Sequence, residues 1–103
     1  MRSVAFFIVF GVLFGVAHAA EPVLYGYRIL ETFPHSRDAF TQGLFFDGDD
    51  LYESTGQYGQ SSLRQVNLES GEVLRKTTLP ETYFGEGSTI VDGDIFMLSW
   101  RSG

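Results

Sequence analysis

The chain has 103 residues, of which 44% are hydrophobic and 19% are charged, and this balance is typical of a globular protein rather than a disordered one. At most one small domain fits in this length. The formal net charge is −6, and the seven Lys and Arg residues are scattered, so no basic stripe could follow a phosphate backbone. We therefore expect no nucleic-acid partner.

The first twenty residues have the composition of a secretory leader. Arg2 precedes an apolar run from Val4 to Val16, and Ala17, His18 and Ala19 follow it, with small residues at the first and third of these positions. We expect a signal peptide over residues 1–19 and a secreted or periplasmic mature chain with no stable membrane association. The alternative is an uncleaved anchor, but an apolar run of about 13 residues is shorter than the roughly 20 that span a bilayer.

Short strands are predicted along the rest of the chain, and no segment after the leader has a helical period. Alternation of apolar and polar residues in Leu24–Phe33 predicts a first strand, which Pro34 ends. Three hairpins with Gly-containing or acidic turns are predicted after it. They pair Leu44–Phe46 with Leu51–Ser54, Leu63–Asn67 with Val73–Thr78, and Ser88–Val91 with Ile95–Trp100. The sequence thus predicts an all-β fold.

An internal repeat defines the architecture more closely. The run 40–43 (FTQG) recurs 44 residues later as 84–87 (FGEG), and four strands fit one period. A period in the 40s with four short antiparallel strands is typical of a β-propeller blade. The chain holds about two such blades, whereas a ring needs at least four. We therefore expect residues 20–103 to be the N-terminal blades of a truncated propeller domain.

The repeat also indicates candidate functional residues. Equivalent positions of successive blades surround one axis, so Gln42 and Glu86 should face the same side of the ring. Glu86 is flanked by Gly85 and Gly87, where a substrate can approach the backbone closely. The alternative is a turn glutamate in water. His35 is the one His after the leader, so a metal site or a Ser–His site lacks its partners, and we expect a structural role for it.

Several separate blocks in a fixed order carry a resemblance to a known family. They are Pro34–His35, Phe40–Leu44 (FTQGL), Tyr52–Gly56 (YESTG), Phe84–Gly87 (FGEG) and Leu98–Trp100. In this order they resemble the plant and bacterial glutamine cyclotransferases, and the resemblance extends over residues 24–103. It implies a five-bladed β-propeller of about 220 residues. It also implies an acyltransferase that converts the N-terminal glutamine of peptides or proteins to pyroglutamate with release of ammonia.

The resemblance further assigns roles to individual residues. Glu86 matches the family's catalytic acid and base, and Phe40, Gln42, Gly85 and Trp100 match positions of the substrate pocket. No metal and no organic cofactor is implied. The reaction agrees with this assignment, because a proton must leave the attacking amine and reach the departing ammonia, and one carboxyl group can carry it.

The sequence also allows structural roles for the pocket residues and a second function for the protein. Phe40 and Trp100 could be ordinary blade packing, and Gln42 could brace a loop. A secreted propeller could also bind peptides or sugars in its aromatic pocket without turning them over. The ionisable side chain of Glu86 favours an enzyme over this non-catalytic binding module.

Overall fold

The computed structural model describes residues 21–102, and the predicted signal peptide lies outside them. This part of the chain is all-β, as predicted, and the three predicted hairpins are confirmed. Its six strands are β1 (Thr41–Asp47), β2 (Asp50–Thr55), β3 (Ser62–Val66), β4 (Val73–Thr78), β5 (Gly85–Val91) and β6 (Asp94–Ser99). The first four form an antiparallel sheet in the order β1-β2-β3-β4, and β5 pairs with β6 in a second sheet. Between residues 21 and 102, no helix is long and apolar enough to cross a membrane.

The strand predicted over Leu24–Phe33 is wrong. The segment is irregular and its side chains are exposed, with Leu24 at 94% and Tyr27 at 93% of their full accessible surface. Alternation supplies an apolar face, but a strand also requires a neighbouring backbone that completes its hydrogen bonds. None of the six strands pairs with this segment.

The 44-residue repeat is present in the backbone as well as in the sequence. The first and last residues of β5 lie 44 positions after those of β1, and the first and last residues of β6 lie 44 positions after those of β2. A hydrogen bond from the amide of Gly56 to the carbonyl of Phe40 recurs as one from Trp100 to Phe84, each 2.9 Å long. The second sheet is therefore the start of a second copy of the first.

Glycine and aspartate form the tight hairpin turns. Gly48 has a φ of 59° at the first position of the loop between β1 and β2. Asp92 and Gly93, which join β5 to β6, have φ angles of 52° and 86°. Positive φ at these positions matches the turn twist to that of the strands, and Gly and Asp adopt it at low cost.

The two sheets pack side by side through β1 and β5. A Cβ atom on Gly43 would lie 2.7 Å from the amide nitrogen of Ser88 and 3.1 Å from the Cα of Gly87, so this backbone approach requires glycine. Apolar side chains are exposed on the outer faces of both sheets, Leu44 and Phe46 on the first and Phe96 and Leu98 on the second. In a propeller, neighbouring blades cover such faces.

The most buried side chains are mainly polar and lie on or beside β2 and β3. Thr55 and Ser62 share a hydrogen bond of 2.8 Å between their hydroxyl oxygens, and the Nε of Arg64 donates to Ser62 over 2.9 Å. Glu53 is only 1% exposed, and its Oε1 accepts from the hydroxyl of Thr41 at 2.6 Å. The same oxygen lies 2.7 Å from His35 Nε2. These polar contacts fix β2 against its neighbours and fasten the segment before β1 to the sheet.

Candidate active site

Two backbone irregularities lie at the starts of β1 and β5. Thr41 pairs with Thr55 and Gly43 with Ser54, so Gln42 is one extra residue in β1. Strand β5 also contains one extra residue, because Gly85 and Ser88, three positions apart, pair with Ser99 and Met97, which are two positions apart on β6. Bulges of this kind redirect side chains and are common next to active sites. They set the direction of Gln42 and Glu86 at equivalent places in the two sheets.

One cavity brings these two side chains together. Its volume is about 320 Å³ and it opens between the starts of β1 and β5. It is lined by Phe40, Gln42, Tyr58, Phe84, Glu86 and Trp100. Four of the five site residues expected from the sequence, all but Gly85, therefore line a single cavity.

Aromatic rings form most of the cavity wall. Phe84 lies between two other rings, with its centroid 6.0 Å from that of Phe40 and 5.4 Å from that of Tyr58. Both pairs are edge-to-face, the arrangement that the ring quadrupoles favour. Trp100 follows β6 and is half exposed. The wall can therefore surround the aliphatic part of a small polar ligand.

Glu86 supplies the only carboxylate among the residues that line this cavity. In the described range 21–102, no Lys or Arg side chain forms a salt bridge with Glu86, and the one His–carboxylate contact joins His35 and Glu53. The Glu86 side chain is half-buried, as is that of Gln42. The cavity thus combines one proton acceptor with one amide that can both donate and accept hydrogen bonds.

Gly85 does not line the cavity, in contrast to the expectation from the sequence. Its residue surface is buried, and a Cβ atom there would lie 2.6 Å from the carbonyl oxygen of Thr55. Its amide donates a hydrogen bond of 2.9 Å to the hydroxyl of Ser61. Gly85 therefore supports the backbone beneath Glu86 and does not form a wall.

His35 lies away from this cavity. With Thr41 and Glu53 it lines a separate cavity of about 300 Å³ beside the segment that precedes β1. Within the described part of the chain, no group of three or more His, Asp or Glu side chains is placed to hold a metal ion. The structure therefore separates His35 from Glu86, the candidate acid and base.

Sequence reasoning missed two wall residues, Tyr58 and Phe84. Phe84 is the repeat partner of Phe40, so the 44-residue offset could have identified it. Tyr58 lies between Gly56 and Gly59 in the loop after β2, and an aromatic residue in a glycine-rich loop is a signal for a binding surface. Its contact with Phe84 depends on the loop's conformation, which the pattern does not define.

Comparison with known proteins identifies the family of this chain. The family described as glutamine cyclotransferase matches residues 5–103, which is most of the chain. The chain belongs to the glutamine cyclotransferase family. It is 48% identical over 74 residues to a glutaminyl-peptide cyclotransferase of Arabidopsis thaliana, and this match covers 71% of the chain but 23% of the relative.

The fold of this chain is also similar to a solved structure. The crystal structure of Myxococcus xanthus glutaminyl cyclase matches with a TM-score of 0.60 and 38% sequence identity, over 71% of this chain and 30% of that one. The two sheets are accordingly blades of a β-propeller, one complete and one represented by its first two strands. The chain spans less than a third of either relative's length.

Proposed function

We propose that this chain provides part of the active site of a glutaminyl-peptide cyclotransferase, with Glu86 as the catalytic acid and base. The observation that supports it most is the shared cavity, in which Glu86 and Gln42 lie among four aromatic side chains. The substrates are peptides or proteins with an N-terminal glutamine. The product is pyroglutamate, and ammonia is released.

The reaction needs one proton to move between two nitrogen atoms of the same residue. The α-amino nitrogen attacks the side-chain carboxamide carbon, and a new C–N bond closes the five-membered ring. The Glu86 carboxylate accepts a proton from the attacking nitrogen and then donates it to the amide nitrogen as the C–N bond to that nitrogen breaks. Ammonia leaves, and Glu86 returns to its ionised form, so a single carboxyl group serves both steps.

The other cavity residues contribute by orientation. The side chain of a free N-terminal glutamine is flexible, and holding its amine against its carboxamide removes much of the entropic barrier to ring closure. Phe40 and Trp100 can confine the aliphatic part, while the Gln42 amide can hydrogen-bond to the substrate carboxamide or to the oxygen that gains charge during attack. This assigns separate tasks to the aromatic and polar parts of the cavity.

A binding module for peptides or sugars is the second candidate function. The aromatic wall alone would suit it, because aromatic faces bind apolar and sugar surfaces without any need for a carboxylate. The position of Glu86 favours the enzyme. Its repeat partner Gln42 demonstrates that a non-ionisable residue fits the equivalent backbone position.

Ammonia release from a glutamine-initiated peptide distinguishes the two functions. We expect a full-length form of the protein to release ammonia, with the same rate in an excess of metal chelator, since the proposed proton carrier is a side chain. The Glu86→Gln variant should be almost inactive. Peptide binding by a well-folded full-length form without ammonia release would favour the binding module instead.

We also propose export of the protein through the leader at residues 1–19. The support is the charged Arg2, the apolar run and the small residues before Ala20. Expression in a host with a secretory pathway and N-terminal sequencing of the exported product would test this. We expect the mature chain to begin at Ala20, whereas a product that retains residues 1–19 in the membrane fraction would support the anchor.

A further inference from the structure

Ser61 connects two parts of the candidate active site that are distant in sequence. Its side chain is 1% exposed and lies just before β3. The hydroxyl donates a hydrogen bond of 2.7 Å to the carbonyl of Gln57 and accepts one of 2.9 Å from the amide of Gly85. One buried hydroxyl thus joins the loop 57–61 to the residue before Glu86.

The loop that Ser61 holds carries a wall residue of the cavity. Gln57 has a φ of 95°, a conformation that a non-glycine residue adopts only when its surroundings hold it. The carbonyl of Gln57 accepts hydrogen bonds from the amides of Gln60 and Ser61, at 3.0 and 2.8 Å, in addition to the Ser61 hydroxyl. Tyr58 follows directly and packs edge-to-face on Phe84. The position of Tyr58 therefore depends on the contacts of Gln57.

The second partner of the Ser61 hydroxyl, Gly85, belongs to the backbone that directs Glu86. Gly85 begins β5 and immediately precedes the irregular stretch 86–87, where the pairing with β6 is interrupted. Across this stretch, strand pairing fixes the backbone less than in a regular strand. Gly85 itself pairs with Ser99 of β6, and the hydrogen bond from its amide to Ser61 adds a second contact directly before the stretch that β6 fixes less.

We propose that Ser61 is a positioning residue for the cyclotransferase reaction. Its hydroxyl sets the Gly85 backbone, and through it the direction of the Glu86 carboxylate, relative to the loop that carries Tyr58. Ser61 does not contact the cavity itself, so it acts on the reaction only through these neighbours. The inference rests on the proposed function, because it assigns Ser61 a role in the same reaction.

The test compares Ser61→Ala with Ser62→Ala in a full-length form of the protein. Ser62 is an adjacent buried serine whose hydroxyl bonds Thr55 and Arg64 instead of Gly85, so its variant controls for the loss of any buried hydroxyl. For Ser61→Ala we expect kcat to fall about tenfold with KM within about twofold, because misplacing an acid and base affects the transition state more than substrate binding. Ser62→Ala should keep kcat within about twofold.

Amide hydrogen exchange at Gly85 provides a second measurement that does not depend on activity. In Ser61→Ala the Gly85 amide loses its acceptor, so its exchange should become at least about tenfold faster, with little change in Ser62→Ala. If Ser61→Ala does not fold, Ser61→Cys replaces it, because it has nearly the same size but only a weak hydrogen-bond acceptor. For Ser61→Cys we expect a smaller fall in kcat and a smaller increase in the Gly85 exchange rate than for Ser61→Ala.

The outcomes separate this inference from the proposed function. If the unmodified protein is active and Ser61→Ala has the same kcat, or if Ser62→Ala loses as much, the positioning role is overturned while the proposed function stands. If the unmodified protein does not cyclise glutamine at all, the proposed function fails, and the role of Ser61 in catalysis fails with it. Faster Gly85 exchange would in that case report a structural contact alone.

Discussion

Gln42 and Glu86 lie at equivalent irregular positions in two successive blades, 44 residues apart, and both line one cavity. A Cβ atom on Gly87 would lie 3.8 Å from the carbonyl oxygen of Gln42, so the two backbones run close beside each other here. The repeat thus supplies an amide from one blade and a carboxylate from the next. The equivalent position of the two blades therefore carries a neutral amide in one blade and an ionisable carboxyl group in the other.

Replacement of Gln42 tests the role of the amide. In a full-length form we expect Gln42→Ala to lower kcat/KM by about tenfold to a hundredfold, because a hydrogen bond to the substrate carboxamide or its developing charge is lost. Steady-state kinetics with a glutamine-initiated peptide would measure this. Gln65→Ala is the matched control, since Gln65 bonds Asp50 on the surface of the first sheet. Equal activity of the two variants would mean that Gln42 only braces its loop.

Replacement of Gly43 tests the packing of the two blades. A Cβ atom at this position would clash with the backbone of β5, and β1 would have to shift away. We expect Gly43→Ala to lower the free energy of unfolding by about 1–3 kcal/mol, as overpacking does elsewhere. Urea denaturation would measure the change. Gly26→Ala should have little effect, because nothing lies within 4 Å of the Cβ it would add.

An unchanged urea midpoint for Gly43→Ala would contradict the close approach of β1 and β5. The same variant should also lose activity beyond what its stability explains, because Gly43 follows Gln42 directly in β1. Activity measured per folded molecule well below the transition separates these effects.

The buried carboxylate of Glu53 provides a third prediction. Glu53→Ala removes the acceptor of the Thr41 hydroxyl and the partner of His35, and we expect a loss of about 1–3 kcal/mol in unfolding free energy. Glu53→Gln keeps an amide oxygen in nearly the same place, so its free energy of unfolding should fall by less. Urea denaturation of both variants at one pH would compare them. Equal stability of Glu53→Ala and the unmodified protein would show that this contact contributes nothing net.

Sequence reasoning predicted the parts of the fold that local chemistry determines. The three hairpins follow from alternation and from Gly and Asp turns, and their cores, such as Leu51 to Ser54, agree with the strands. The blade arrangement follows from the 44-residue period. The segment Leu24–Phe33 was assigned wrongly because strand formation depends on a partner as much as on the segment itself.

The candidate site was predictable where the repeat or the family motif identifies a residue, as for Gln42 and Glu86. The bulges that direct these side chains are not visible in the sequence, because they depend on the register between paired strands. The hydrogen bond between Ser61 and Gly85 joins residues 24 positions apart, and no local pattern indicates it. For the same reason the sequence does not indicate that Gly85 packs against the Thr55 carbonyl and bonds Ser61.

The most direct test of the account is mass spectrometry of a glutamine-initiated peptide after incubation with a full-length form, its Glu86→Gln variant and a Glu81→Gln control. Glu81 is an exposed residue in the loop between β4 and β5 and does not line the cavity. We expect the unmodified protein and Glu81→Gln to convert the peptide to its pyroglutamate form, and Glu86→Gln to be slower by at least about a hundredfold. Pyroglutamate formed by Glu86→Gln at the unmodified rate would contradict the assignment of Glu86 as the catalytic acid and base.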